Sequence, residues 1–235
     1  MRRLRYGLGA LFFFLYGAFA LAFAPLMILP VWTETGFRRI VRAFYRCFVA
    51  LAGALGLFRV DMDAATREAL RAAHGRIIVM NHIALIDIVV ILAHLPDSTA
   101  IAKSATLKNP VLSTTVKKMF LVNDEDPEEL FSRAAALIAK GVNLVVFPQG
   151  TRGGGKLHRG AARLALALKA PILPVRIDYD PVVLDKRHPW YYTGDRTIRI
   201  ALEAKREIVP QGESNFTNAK KLTAAFAAQL GIPQT

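Results

Sequence analysis

The sequence predicts an α/β fold: a largely parallel sheet flanked by helices, preceded by an N-terminal pair of helices. Three observations carry this. Short β-branched runs at 76–80, 142–147 and 171–177 alternate with amphipathic helical stretches, the pattern of strands joined by crossover helices. Polar or glycine-rich segments follow two of these runs, at Asn81-His82 and at Gln149-Gly150-Thr151-Arg152, where an open parallel sheet gathers its ligand groups. An uncharged stretch, 6–32, comes before all of it.

The length, 235 residues, suffices for one α/β domain with a real core and an appendage, which we divide as 1–58 for the helices and 59–235 for the α/β domain. A formal net charge of +13, from 31 Lys and Arg against 18 Asp and Glu, calls for an anionic partner: lipid headgroups, a phosphorylated substrate, an acidic carrier protein or nucleic acid. Nucleic acid is set aside, because the charge gathers beside apolar helices and no recognition module is present. Cys47 is the single cysteine, which excludes a disulfide framework and a cysteine-based zinc site.

In chain order, the apolar stretch at 6–32 is long enough as a helix to cross a hydrocarbon core of roughly 30 Å, with Pro25 and Pro30 bending or ending it. A cleaved signal peptide is the alternative, but the run exceeds an ordinary signal core and no small-residue cleavage site follows. Residues 36–48 then place Arg38, Arg42 and Arg46 at intervals of four beside Arg39, with Phe37, Ile40, Val41, Phe44 and Phe48 elsewhere on the wheel: a basic amphipathic helix for an anionic lipid surface, or a solvated face on a core helix. A short strand is expected at 59–63 and a helix at 66–73. After the strand at 76–80, a helix starts near Ala84 and breaks at Leu95-Pro96-Asp97. Further strands are expected at 99–102 and 118–122, with a helix starting at Asn109-Pro110. Asp126-Pro127-Glu128-Glu129 is a strong helix start, with an acidic cap and proline in the first turn. The strand at 142–147 precedes a helix at 160–169 and a strand at 171–177. An irregular loop mixing Trp190, Tyr191 and Tyr192 with Lys186, Arg187 and His188 occupies 179–195, suited to a membrane interface or to ordinary loop packing. A strand at 197–202 and a helix at 215–230, stopped by Gly231, complete the chain.

His82 and Asp87 are the candidates for chemistry. On one continuous helix their spacing would set them about 140° apart, so they meet only if His82 lies in the loop before the helix and Asp87 in its first turn. The carboxylate would then fix the imidazole tautomer and leave the other ring nitrogen as a general base. Taken alone, the pattern equally suits a structural histidine and an unrelated acid. His74, His94, His158 and His188 show no ligand spacing with His82, so no metal is expected.

Taken together, four blocks in order resemble the glycerolipid acyltransferase family, in particular the 1-acylglycerol-3-phosphate acyltransferases. The blocks are Asn81-His82 through Asp87, then Lys103, then Phe147-Pro148-Gln149-Gly150-Thr151-Arg152, then Ala170-Pro171-Ile172-Leu173-Pro174-Val175. The resemblance spans about 75–178, and the apolar, basic N-terminus resembles the membrane anchor of bacterial members. It implies that His82 deprotonates an acceptor hydroxyl, that Asp87 orients it, and that Gln149, Gly150, Thr151 and Arg152 form an acceptor-binding loop. Lys103 would add charge there, and Pro174 would shape the acyl end. It further implies an acyl carrier protein or coenzyme A thioester as donor, no bound cofactor, membrane lipid as partner, and a place on the cytoplasmic side of the inner membrane.

Two positions depart from the family. Gln149 stands where glutamate is usual, and Asn123, followed by Asp124, Glu125 and Asp126, stands where a phosphate-binding arginine is common. An acceptor other than lysophosphatidic acid is therefore an alternative, as is a catalytically silent lipid-binding protein. Gly150 to Lys156 also matches a nucleotide phosphate loop, although Leu157 occupies the position of its magnesium-binding Ser or Thr.

Overall fold

The computed structural model describes residues 2–28, 33–123, 126–154, 157–189 and 191–233. Pro30, Trp32, Asp124, Glu125, Lys156 and Trp190, which enter the expectations above, lie outside them.

Among the described residues, seven strands form one sheet in the order β1-β7-β6-β2-β5-β3-β4. They are β1 (Phe58–Asp61), β2 (Ile77–Met80), β3 (Ser98–Ala102), β4 (Leu121–Val122), β5 (Asn143–Val146), β6 (Ile172–Asp180) and β7 (Ile198–Ala204). From β6 to β4 every pairing is parallel; β7 pairs antiparallel with β6, and β1 runs parallel to β7. The largely parallel α/β fold read from the sequence is therefore the fold observed. Five parallel strands end on the same side, and the loops leaving β2, β3, β4 and β5 share one edge.

Alternate side chains of the strands divide between two cores. Ile78, Met80, Val145, Leu173, Val175 and Ile177 face α2 (Glu34–Ala54), α4 (Asp87–His94) and α5 (Pro110–Met119). Ile77, Val79, Leu144, Val146 and Ile172 face α6 (Pro127–Ala139), α7 (Gly160–Leu168) and α8 (Phe216–Leu230). Among the described residues the remaining α-helices are α1 (Arg2–Ile28) and α3 (Ala64–Ala72). With both faces covered, the strands can be apolar throughout, which is why they read as uninterrupted β-branched runs.

Local signals set most boundaries. Asp126 accepts hydrogen bonds from the N–H groups of Glu128 and Glu129, satisfying two orphan donors at the start of α6. Asn215 does the same for Asn218, and Gly231 closes α8 in the left-handed conformation that a side chain resists. Pro25 lies inside α1. The sequence placed strand at 118–122, but Lys118 and Met119 belong to α5 and only Leu121–Val122 pairs with β3.

One reading of α2 is corrected. Arg38 is buried, and its guanidinium forks onto both carboxylate oxygens of Asp97, with Nη2 to Oδ2 at 3.0 Å. Positions four apart drift by about 40° per step around a helix, so the arginine row turns from buried Arg38 through half-buried Arg42 to exposed Arg46. Arg38 is thus a core ion pair, while Arg39 and Arg46 face outward.

Helix α1 joins the same core through aromatic packing. Phe12 lies 4.9 Å and Tyr16 4.2 Å from the Phe48 ring, and Tyr16 stacks on Phe44 at 4.6 Å. Arg5 donates to the carbonyls of Gly56 and Leu57. The opposite face, with Leu11, Phe14, Leu15 and Phe19, is exposed, Phe14 to 64%. Residues Arg5–Pro25 are long and apolar enough to cross a membrane by length and composition. From the long loop after β6, Tyr192 stacks on Tyr6 at 5.4 Å and on His188 at 4.6 Å.

Candidate active site

The strand β2 ends with an asparagine that imitates one more strand residue. Buried Asn81 donates its amide N–H to the Ile177 carbonyl at 2.7 Å and accepts from the Ile177 N–H at 2.8 Å. This satisfies the neighbouring strand by side chain, so the main chain can leave the sheet at His82 without stranding buried polar groups.

His82 lies in that loop and Asp87 is the first residue of α4; their Nδ1 and Oδ2 atoms are 2.7 Å apart. The same Oδ2 accepts from the N–H of Ile83 at 2.7 Å and of Ala84 at 3.0 Å. Oδ1 accepts the hydroxyl of Tyr179 at 2.6 Å. Asp87 is fully buried, and its two oxygens take all four of these contacts at the positive end of α4. A carboxylate only accepts, so the imidazole proton sits on Nδ1 and the lone pair on Nε2. Burial, then the charge of Asp87 and the bond to it, raise the Tyr179 hydroxyl well above its ordinary range, so Tyr179 remains a donor.

The loop after β5 fixes His82 from the other side. Gln149 Oε1 accepts the His82 main-chain N–H at 2.9 Å, the His82 carbonyl accepts from the Gly153 N–H at 2.9 Å, and the Phe147 ring stacks on the imidazole at 4.4 Å. The neutral amide of Gln149 supplies the acceptor this N–H needs without adding a charge. Gly150 closes the turn by donating to the Phe147 carbonyl, and its φ of 61° explains the glycine.

A cavity of about 450 Å³ opens beside His82. Lys103, at the end of β3, Gly150 and Arg152 line it together with His82. Arg152 is steadied by a bond from Nη1 to the Leu184 carbonyl at 3.1 Å. Asn123, after β4, lines it as well. Its apolar wall comes from Leu85, Ile88, Val116, Phe120 and Phe147, with Tyr45 of α2. Gln149 and Thr151 belong to the same loop outside the lining. Pro174 is buried in mid-β6 opposite Val79, also away from the cavity wall. Among the described residues, no three His, Cys, Asp or Glu side chains gather where an ion would sit.

Sequence reasoning missed Tyr179 and Tyr45, and named Phe147 in the third block without its stacking on His82. Tyr179 was assigned to an irregular loop, yet β6 continues to Asp180; the inward alternation Val175, Ile177, Tyr179 was the available signal. Tyr45 had none, because which face of α2 meets the cavity depends on how the helix docks.

An imidazole held by a buried acid thus opens on a cavity that is apolar on one side and cationic on the other. Residues 62–178 match the family model described as Acyltransferase. Among solved structures the chain is similar to the 1-acyl-sn-glycerophosphate (LPA) acyltransferase, PlsC, from Thermotoga maritima, with a TM-score of 0.68 and 20% identity over 98% of each chain. No curated protein matches the sequence.

Proposed function

We propose that this protein moves a fatty acyl group from an acyl carrier protein or coenzyme A thioester to the free hydroxyl of a lysophospholipid, 1-acyl-sn-glycerol-3-phosphate in the first instance. The observation that carries this reading is the short contact between His82 Nδ1 and the buried Asp87 carboxylate. It leaves Nε2 as the base at a cavity lined by Lys103 and Arg152.

The acceptor hydroxyl gives its proton to His82 Nε2 as its oxygen attacks the thioester carbonyl. The tetrahedral adduct then collapses, the carbon–sulfur bond breaks, and the leaving thiolate takes the proton back from His82. Imidazolium forms only between these steps, and Asp87 stabilises it. No acyl-enzyme, metal or bound cofactor takes part. Arg152, with its planar fork, and Lys103, as a point charge, hold the acceptor phosphate, and Gln149, Gly150 and Thr151 shape that loop. The buried Pro174 keeps β6 in place behind it. The exposed apolar face of α1 lies in the inner membrane, and the α/β domain works on the cytoplasmic side.

Asn123 favours a second reading. It presents a neutral amide to the cavity, so phosphate there meets two cations, Lys103 and Arg152, and no third from the β4 loop. A lipid acceptor without a terminal phosphate fits this better. One assay separates the readings: purified protein in detergent with carrier-protein and coenzyme A thioesters, a panel of lyso-phospholipid and non-glycerol lipid acceptors, and His82→Ala as blank. Transfer to lysophosphatidic acid above every other acceptor supports the first reading; preference for an acceptor without the phosphate monoester supports the second. No transfer to any acceptor above the blank contradicts both.

A further inference from the structure

At the far end of α4 from Asp87 there is a second cavity, of about 490 Å³. Arg42 and Arg46 of α2, Arg67 and Arg71 of α3, and His94 at the end of α4 line it, and among the described residues no carboxylate does. Among the described residues none of the four arginines is in an ion pair, and Arg67 only reaches the Met62 carbonyl at 3.5 Å. Arg42 Nε is buried with no hydrogen-bond partner. Four guanidinium groups from two helices converging without a counter-charge repel one another, and a buried donor left unmade costs more than one facing water. The fold tolerates both where an anion is to be received.

His94 is consistent with that field. Burial, opposed by a hydrogen bond to the Val90 carbonyl, and then Arg46, Arg42 and Arg67, hold its pKa below the ordinary value. The C-terminal carbonyls of α4 add a little negative potential, too little to serve four cations. Seven steps of helix at about 1.5 Å each put His94 roughly 10 Å from Asp87, so this cavity is separate from the one beside His82.

The rest of the lining says what carries the anion. Val49, Val60, Met62 and Leu70 form an apolar floor. On α2 the next row around the helix from Arg46 is Cys47 and Leu51, both exposed, continuing toward exposed Leu55. A free phosphate would leave these walls wet; a phosphate joined to acyl chains would cover them. We propose that the cavity binds the phosphate of an anionic phospholipid headgroup, with the acyl chains leaving along the exposed apolar side of α2.

The test uses the full chain in neutral detergent, titrated calorimetrically with dihexanoylphosphatidylglycerol, dihexanoylphosphatidylcholine and inorganic phosphate. Arg67→Gln/Arg71→Gln changes two exposed side chains on α3 and leaves the core intact; Arg42→Gln tests the buried donor. Lys220→Gln/Lys221→Gln, exposed on α8 across the sheet, removes the same charge elsewhere. We expect saturable binding of phosphatidylglycerol, weakened about tenfold or more by either arginine variant, as loss of charge-assisted bonds to phosphate requires, and unchanged by the lysine variant. Absence of saturable binding, an unchanged affinity in Arg67→Gln/Arg71→Gln, or an equal loss in the lysine variant overturns the site. Inorganic phosphate or phosphatidylcholine binding as tightly as phosphatidylglycerol overturns the anionic-lipid assignment.

Discussion

Tyr179, near the end of β6, donates its hydroxyl to Asp87 Oδ1 at 2.6 Å, across 92 residues of sequence. The bond ties the acid that contacts His82 to a strand on the other side of β2, so the imidazole is held by the sheet itself rather than by its own loop alone.

Removing that hydroxyl should act through Asp87. A hydrogen bond to a charged group contributes about 1.5–3 kcal/mol, so Tyr179→Phe should lower stability by roughly 1–2 kcal/mol after partial relaxation. It should also lower kcat about tenfold, with KM changed less than about threefold, because the phenol touches no substrate. Denaturant unfolding and steady-state kinetics on the same preparation check both. A fall in stability with unchanged kcat would leave Tyr179 a packing residue only.

Gln149 offers a sharper contrast. Gln149→Glu keeps an acceptor for the His82 N–H and should retain activity within about threefold, whereas Gln149→Leu leaves that half-buried donor unpaired at a cost of about 1–3 kcal/mol. We expect Gln149→Leu to lose activity about tenfold or more, measured as kcat at saturating acceptor. Equal activity in the two variants would detach Gln149 from the placement of His82.

The exposed row on α1 should govern membrane association. Burying a leucine side chain contributes about 1.5–3 kcal/mol, so Leu11→Glu/Leu15→Glu should weaken partition into vesicles by roughly 3 kcal/mol or more. Flotation with anionic vesicles measures it, and a Cys47→Ser chain serves as an exposed-surface control. Unchanged flotation would place the lipid contact elsewhere.

His94 should leave a signature in stability against pH. Its folded pKa is held below the ordinary 6.5, chiefly by burial, so the unfolded chain takes up the proton first. The folded state therefore keeps its full advantage above about pH 6.5 and loses it as pH falls from there through the lowered folded value. Unfolding free energies at pH 7.5 and 5.0 should fall less in His94→Gln than in the parent chain; an equal or larger fall contradicts this.

How far the sequence reveals this molecule depends on the kind of signal. Strands buried on both faces show as β-branched runs, and α6 and α8 announce themselves through Asp126, Asn215 and Gly231, because caps are local chemistry. The approach of His82 to Asp87 needed only a loop followed by a helix start, both visible nearby. Arg38 was misread as a surface residue because its partner, Asp97, lies 59 positions away and nothing local tells a core guanidinium from a solvated one. Tyr179 was missed because Asp178 and Asp180 flank it: a strand leaving the core alternates buried and exposed residues, and the acids on its outer side made it look like loop. The second cavity was invisible because its arginines come from α2 and α3, which only the packing brings together.

The most direct test of the chemistry is acyl transfer by His82→Ala, beside Asp87→Asn, in purified detergent-solubilised protein with an acceptor that the parent chain uses. General-base catalysis contributes about 10²- to 10⁴-fold, so His82→Ala should lose at least a hundredfold in kcat with its melting temperature little changed, since the ring is partly exposed. A folded His82→Ala protein that transfers acyl groups at the parent rate would contradict the role given to His82.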